Sequence, residues 1–440
     1  MKIRVRIFLW LWSLLWSLGT PLILGYLYLR ARKDKAYVAK LGERFGFYQN
    51  SAPVDVWLHT VSLGELRSAV PLIFGFLSRK ERVVITTFTP AGRREAERVF
   101  ASAIAEGQLA VVWVPVETAW AWRRFLCQFR PRFGLVMEIE IWPRMIFAAR
   151  AAQVPLFMCN AQYPSKSIKR DSKGLRLRQH IMSGFAGAFV KSELQARRFA
   201  AVGVQNIAIT GELRFDQPVP EALVSGGFKA RRALGLEGKR VVAFVSTIEG
   251  EDPVYIEAMK ALLALHDNIV FVYVPRRPER FELVRKTLAS SGLEVVMRSE
   301  ILPNELNAQA QFVPLSSGTQ VILGDSLGEM YFYLTLAQSV VVGGGFSPKG
   351  AHNIIEPLAL GKPVFTGPET FTIEYPFTEA AEAGVAQSVV DARALVAALE
   401  AREQPTEAQI QAFFSEHSRA VPRFFAALPE LLAAAEKTGR

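Results

Sequence analysis

Five stretches of the chain place acid–base or phosphate-binding groups directly after apolar, strand-like runs. Glu65, in VWLHTVSLGE, follows such a run and opens a helical pattern of Leu66, Ala69, Val70, Ile73 and Leu77. A carboxylate in the first turn of a helix gains about 0.3–1 kcal/mol from the helix dipole. At the mouth of a parallel sheet, beside Gly64, it could instead take a proton from a substrate hydroxyl. The residues alone leave both roles open. Glu138 and Glu140, in MEIEIWP, end another apolar run. Because strand side chains alternate, the two carboxylates are expected to point the same way, and burying them is costly unless they are paired or used. Arg276 and Arg277, in VPRRPERF, stand where a guanidinium could grip a phosphate bidentately. LGDSLGEM puts Gly328-Glu329 at a helix start. GGGFSPKGAHNIIEPLALGKPV leads from a Gly-rich turn into a helix opened by His352, Asn353 and Glu356, with Asn353 and Glu356 expected on one face. A weaker candidate is FTPAGRREAE, where Thr89-Pro90 is either an ordinary helix cap or, with Arg93 or Arg94, an anion site.

These groups need a scaffold that gathers strand ends. Strand-like runs at 56–61, 82–87, 110–116, 133–139, 154–160, 186–192 and 207–213 alternate with helical patterns. After an interruption rich in Pro and Gly, the rhythm resumes at 240–246, 268–274, 293–299, 320–325, 339–345, 363–367 and 385–390. Such alternation predicts α/β architecture with parallel sheets covered on both faces. The expected organisation is an anchor at 1–35, a Rossmann-like domain at 36–216, a linker region at 217–238, a second Rossmann-like domain at 239–405 and a C-terminal helical segment at 406–440. Two such domains suggest a cleft between them, with ligands at the carboxyl ends of strands.

The chain has 440 residues, with 52 Lys and Arg against 41 Asp and Glu, a net charge of +11. This excess suits an anionic partner such as nucleic acid, an anionic membrane or a phosphorylated substrate. Cys127 and Cys159 form no paired motif, so no disulfide framework or cysteine zinc site is expected. The five histidines show no ligand spacing, and no metal-bridged nucleotide motif occurs. Residues 7–29 carry no charge and are flanked by Lys2, Arg4 and Arg6 before and by Arg30, Arg32, Lys33 and Lys35 after. The run is long enough to cross a hydrocarbon core of about 30 Å, and it lacks a small-residue cleavage site. The denser basic cluster after it favours a cytoplasmic globular part. Gly19 and Pro21 leave a kinked segment lying in the membrane open as well.

In order along the chain, HTVSLGE, TTFTPAGRREAE, MEIEIWPRMI, TGELRFD, STIEGE, VPRRPERF, LGDSLGEM and GGGFSPKGAHNIIEPLALGKPV resemble the 3-deoxy-D-manno-octulosonic acid (Kdo) transferases of lipid A biosynthesis. The resemblance implies a GT-B fold whose first domain takes the acceptor and whose second binds the CMP-sugar. It implies inverting transfer of Kdo from CMP-Kdo to a lipid A precursor, lipid IVA, without a cofactor or an active-site metal. It makes Glu65 the general base and Glu138 a stabiliser of the transition state. It sets Arg214 where the family usually has lysine. It assigns CMP binding to Pro275 and Arg276, to Leu327, Gly328 and Glu329, and to Asn353, Ile354, Ile355 and Glu356. Its implied partners are CMP-Kdo, the lipid A precursor and the anionic surface of the bacterial inner membrane, with no nucleic acid. Ile248, Arg277 and Gln162 stand where the family commonly has histidine, histidine and arginine. Fold and anchor by themselves also fit a GT-B transferase using another nucleotide sugar on a lipid acceptor, or a non-catalytic membrane scaffold.

Overall fold

The computed structural model describes residues 3–49, 52–173, 176–302 and 312–438; Lys2, counted above among the basic flanking residues, lies outside them. Among the described residues, two seven-stranded sheets form. The first contains β1 (Val56–Thr60), β2 (Val83–Thr87), β3 (Leu109–Trp113), β4 (Phe133–Met137), β5 (Leu156–Ala161), β6 (Gly187–Val190) and β7 (Ile207–Ile209), in the order β3-β2-β1-β4-β5-β6-β7. The second contains β8 (Arg240–Thr247), β9 (Ile269–Pro275), β10 (Val295–Met297), β11 (Val321–Leu323), β12 (Ser339–Val342), β13 (Val364–Thr366) and β14 (Ala386–Ser388), in the order β10-β11-β9-β8-β12-β13-β14. All the strand pairings are parallel. The central strands are buried throughout because helices cover both faces, so no face alternates to water. The strand order reverses between β1 and β4 in the first sheet and between β8 and β12 in the second. Crevices of this kind are where open α/β sheets bind ligands.

The chain divides into two compact units, Met1–Gln217 with Ser418–Arg440, and Pro218–His417. In the first unit, Val56 and Leu58 pack with Leu66, Ile73 and Phe76 on one face, and Trp57, Val84 and Val136 pack with Trp122 and Phe125 on the other. In the second, Val242, Phe244, Phe271 and Tyr273 share a core with Tyr255, Met259 and Leu395.

The N-terminal helix α1 (Ile3–Ala31) runs through Gly19 and Pro21 without a break. By length and composition it can cross a membrane. It is also fastened to the first unit. Trp12 Nε1 donates to Glu117 Oε2 at 3.1 Å, and Arg144 donates to the Leu9 carbonyl. Glu117, 2% exposed, accepts three further hydrogen bonds, from Trp122 Nε1 (2.9 Å) and from the backbone N–H groups of Arg144 (2.9 Å) and Met145 (3.0 Å). Leu15, Leu18 and Leu22 on α1 are exposed.

Two stretches differ from the sequence expectation. The interruption at 217–238 is built around a helix, Glu221–Ala233. Its Gly226-Gly227 is a packing device, because a Cβ on Gly227 would lie 2.6 Å from Thr335 Cβ. Among the described residues, the C-terminal stretch, 406–440, holds two helices with different homes. Glu407–His417 stays with the second unit, where His417 meets the Tyr375 hydroxyl at 2.8 Å. Ala420–Thr438 returns to the first unit. Both Asp216 carboxylate oxygens accept from its start, the N–H groups of Arg419 and Val421, at 2.6 Å each. Its Phe424, 0% exposed, packs on Phe189 and Phe76 with ring centroids 4.3 and 5.8 Å away.

Replacing this ring therefore opens a cavity in the core of the first unit. Phe424→Ala is expected to cost about 3–5 kcal/mol, read as a lower melting temperature for the first unit with that of Pro218–His417 unchanged. A single transition at the wild-type temperature contradicts the packing described.

Candidate active site

Thr60 ends β1, and Ser62 caps the helix α2 (Leu63–Leu77). Ser62 Oγ accepts from Glu65 N–H at 3.2 Å and donates to Glu65 Oε1 at 2.9 Å. Glu65 Oε2 accepts from Val61 N–H at 2.6 Å. This reciprocal exchange satisfies helix-end donors and fixes the carboxyl group in place. Glu65 is 8% exposed. Burial pushes its pKa up to about 7, with the nearby Glu138 and Glu140 adding to the effect and the Val61 and Ser62 hydrogen bonds opposing it. A carboxyl group tuned near neutrality suits proton transfer.

The strand before Glu138 stops earlier than its apolar pattern suggests. β4 ends at Met137, and Glu138 takes a left-handed backbone, φ 56°, while its N–H donates to the Cys159 carbonyl at 2.8 Å. Strand alternation therefore does not relate Glu138 to Glu140. Non-glycine residues in this region are uncommon and gather at functional sites. Glu138 Oε1 lies 3.7 Å from Arg214 Nη2. Glu140 accepts from Trp142 Nε1 at 2.9 Å, and burial raises its pKa. The Arg214 guanidinium also passes Gly64, where a Cβ would stand 3.9 Å from Nη2. The structure thus brings Glu65, Glu138 and Arg214 together at the reversal point of the first sheet.

Arg214 sits on a short turn, Leu213–Asp216, that a buried network holds. Glu212 meets Lys191 Nζ at 2.5 Å and accepts from Asn160 Nδ2 at 2.8 Å, while Asn160 Oδ1 accepts from Leu213 N–H at 3.0 Å. Burial works against the Glu212 charge, but Lys191 and Arg214 hold its pKa below the usual carboxylate value. Of the two readings of Thr89, the helix cap is the one observed: its Oγ accepts from Gly92 N–H at 3.3 Å. Arg93 pairs with Glu43 at 2.7 Å and Glu97 at 2.9 Å, and Arg94 pairs with Asp34 at 2.8 Å.

In the second unit, Pro275 ends β9, and Arg276 N–H donates to the Thr247 carbonyl at 3.0 Å. The exposed Arg276 guanidinium lies against the His352 ring, with Nη1 2.6 Å from Nε2. Burial, and then the Arg276 charge, lower the His352 pKa to about 4. The sequence marked His352 only as a helix opener; its pairing with Arg276 depends on loops after β9 and β12 that only β8 separates. Asn353 precedes the N-cap residue Ile354 of the helix Ile355–Ala359 and turns the chain into it, Oδ1 accepting from Ile355 N–H at 3.1 Å, so it does not share a helical face with Glu356. Ile354 and Ile355 are buried core residues. Glu356 lies close enough to Tyr331 to add to the effect of burial in raising the phenol pKa.

Leu327 is exposed, Gly328 has φ 82°, and Glu329 is bound bidentately by Arg298 at 2.8 and 2.7 Å. The Glu329 carboxylate is therefore committed to an ion pair. Among the described residues, the N–H groups of Leu327 and Gly328 have no partner. Glu251, which composition and spacing did not single out, organises the neighbouring Gly-rich loop. It accepts from Gly344 N–H (2.7 Å), Phe346 N–H (3.1 Å), Ile248 N–H (3.0 Å) and Tyr255 OH (3.1 Å). The glycines there permit close backbone approach. A Cβ on Gly345 would lie 2.4 Å from Gly367 N, and Gly344, at φ 94°, would meet Gly350 O at 2.4 Å. Among the described residues, no group of three His, Cys, Asp or Glu side chains is placed to hold a metal ion.

Two parallel α/β units with polar groups at their strand ends define the GT-B fold class. The crystal structure of a glycosyltransferase from Rickettsia africae shares this fold, with a TM-score of 0.57 at 10% identity over 88% of this chain and 100% of that one. Residues 39–217 match the family described as 3-deoxy-D-manno-octulosonic-acid transferase (kdotransferase). The chain is 36% identical to the 3-deoxy-D-manno-octulosonic acid transferase of Bordetella pertussis, over 94% of this chain and 96% of that one. It is 31% identical to the Haemophilus influenzae protein of the same name, over 87% of each. The chain belongs to the 3-deoxy-D-manno-octulosonic acid transferase family.

The raised Glu65 pKa carries a stability consequence. Its folded value, about 7, lies above the ordinary 4.5, so the folded protein holds this proton more tightly than the unfolded chain. The resulting stabilisation is full below 4.5 and is lost as pH rises through 7. Glu65→Gln, which cannot ionise, is expected to melt higher than wild type at pH 8 and to lose that advantage at pH 4.5. An equal difference in melting temperature at both pH values contradicts the shift.

Proposed function

We infer that this chain transfers Kdo from CMP-Kdo to a lipid A precursor, lipid IVA. The observation that carries this reading is 36% identity, over 94% of the chain, to a relative named for the reaction. Glu65 acts as the general base. Its carboxylate takes the proton of an acceptor hydroxyl while that oxygen bonds to the anomeric carbon of Kdo. The bond from that carbon to the CMP phosphate oxygen breaks, and CMP leaves with the electron pair. Attack opposite the leaving group inverts the anomeric configuration. Glu138 stabilises positive charge developing on the sugar, and Arg214 offers a cation to the sugar carboxylate. Arg276 and the N–H groups of Leu327 and Gly328 stabilise the leaving phosphate. Asn353, Glu356 and the backbone of Pro275 and Glu329 complete the CMP site, and Ile354 and Ile355 anchor its loop in the core.

A membrane-borne acceptor suits a membrane-bound enzyme. The helix α1 holds the chain at the bacterial inner membrane, with both units on the cytoplasmic side. Support comes from its uncharged run and the cluster Arg30, Arg32, Lys33 and Lys35 behind it.

Incubation with CMP-Kdo and lipid IVA, followed by mass spectrometry of the lipid, is expected to show the mass increase of added Kdo. Turnover should rise with pH through about 7 as Glu65 loses its proton. Glu65→Gln should keep CMP affinity and lose turnover by about 10²-fold or more. Near wild-type turnover in this folded variant removes Glu65 from the role. Arg276→Ala is expected to weaken CMP binding by roughly 1.5–3 kcal/mol, as for a hydrogen bond to a charged group. An unchanged Kd by calorimetry contradicts its assignment.

A further inference from the structure

We propose that the first unit seats an anionic phospholipid of the surrounding bilayer in a groove of about 840 Å³ between the helices Ala119–Phe129 and Pro143–Ala151. The proposal rests on the membrane reading above and concerns a bilayer lipid, not the acceptor. As crossover helices, both run from the carboxyl edge of the sheet to its amino edge. Over eleven residues the first spans about 16 Å at 1.5 Å per residue. One end of the groove is closed by Leu9 of α1, and the other reaches Arg132 and Val154, just before β4 and β5. It therefore leads away from Glu65 and Glu138, which follow strands at the opposite edge.

Three observations identify the occupant. The groove wall is apolar along its length, through Leu126, Phe147, Ala148 and Ala151, which suits an acyl chain. Its polar rim is of one sign: Arg123, Arg130, Arg132 and Arg144 line it, and no lining residue is acidic. Among the described residues, Arg123 and Arg130 form no ion pair, and Arg132 reaches Asp55 only at 3.9 Å. Arg144 Nε is buried without a hydrogen-bond partner at the α1 end. A phosphodiester supplies the missing anion and acceptor, and its acyl chain covers the apolar wall. Contact with α1 makes the groove continuous with the segment that meets the bilayer.

The protein carries its own reporter, because Cys127 lines the groove and is exposed, whereas Cys159 is buried. Full-length protein is placed in nanodiscs of phosphatidylcholine, or of phosphatidylcholine and phosphatidylglycerol in equal amounts. The reaction of Cys127 with a polar maleimide is then timed. Phosphatidylglycerol is expected to slow it about fivefold or more, the partition factor of one basic side chain at an anionic surface. Inorganic phosphate in phosphatidylcholine discs is expected to give no protection. R123A/R130A should label at one rate in both discs while keeping the wild-type melting temperature. If the double variant unfolds, R123A alone should show a reduced protection. Equal wild-type rates in the two discs, protection by inorganic phosphate, or protection that survives the arginine substitutions overturns the proposal. Transferase turnover in detergent is read on the same preparations. Its absence in wild type counts against Kdo transfer, while the labelling result still decides the lipid seat.

Discussion

A buried carboxylate that gathers hydrogen-bond donors at the loops of a parallel sheet is the interaction on which both units depend. Helices that follow parallel strands leave their first N–H groups unpaired at the same edge. A carboxylate placed there satisfies several at once and gains from the helix dipole. Glu117 binds two helices and α1 through four donors, Glu251 fixes the Gly-rich loop through three N–H groups and a phenol, and Glu212 secures the turn that carries Arg214. Removing one such donor set leaves a desolvated charge, so these loops have few alternatives.

Glu65 is built on the same principle but less completely. It accepts from Val61 N–H and Ser62 OH, retains 8% exposure, and lies close enough to Glu138 and Glu140 to feel their charge. Two donors hold its geometry without cancelling the penalty of burial, which keeps its proton affinity near neutrality. Helix capping and proton transfer are therefore compatible demands on one side chain: the first orients the carboxyl group, and incomplete satisfaction leaves it reactive.

Much of this was legible in the sequence because strand ends in parallel sheets are marked by where apolar runs stop. The runs ending near Thr60, Pro275 and Val342 located the groups that follow them. What stayed hidden depended on backbone turns or long-range pairing. Glu138 leaves the strand in a left-handed conformation that no side-chain pattern announces, so its alternation with Glu140 could not be trusted. Arg93 and Arg94 looked available until Glu43 and Asp34, some fifty to sixty residues earlier, claimed them. Glu329 reads as a site carboxylate by position, yet Arg298 takes it. Gly226-Gly227 looked like a break, since a helix-packing glycine and a loop glycine are identical in sequence.

The return of Ala420–Thr438 to the first unit makes that unit discontinuous in the chain. During synthesis, domains generally fold as they emerge, the N-terminal one first. Here the order is reversed for completion. Pro218–His417 is a continuous segment and can close its core once it clears the ribosome. The sheet that carries Glu65 must wait, with the site for Phe424 empty, until Ala420–Thr438 has been translated. A nascent chain that stops before Ala420 would thus carry a finished second unit and an unfinished first one, so that only chains that include Ala420–Thr438 acquire a completed Glu65 site.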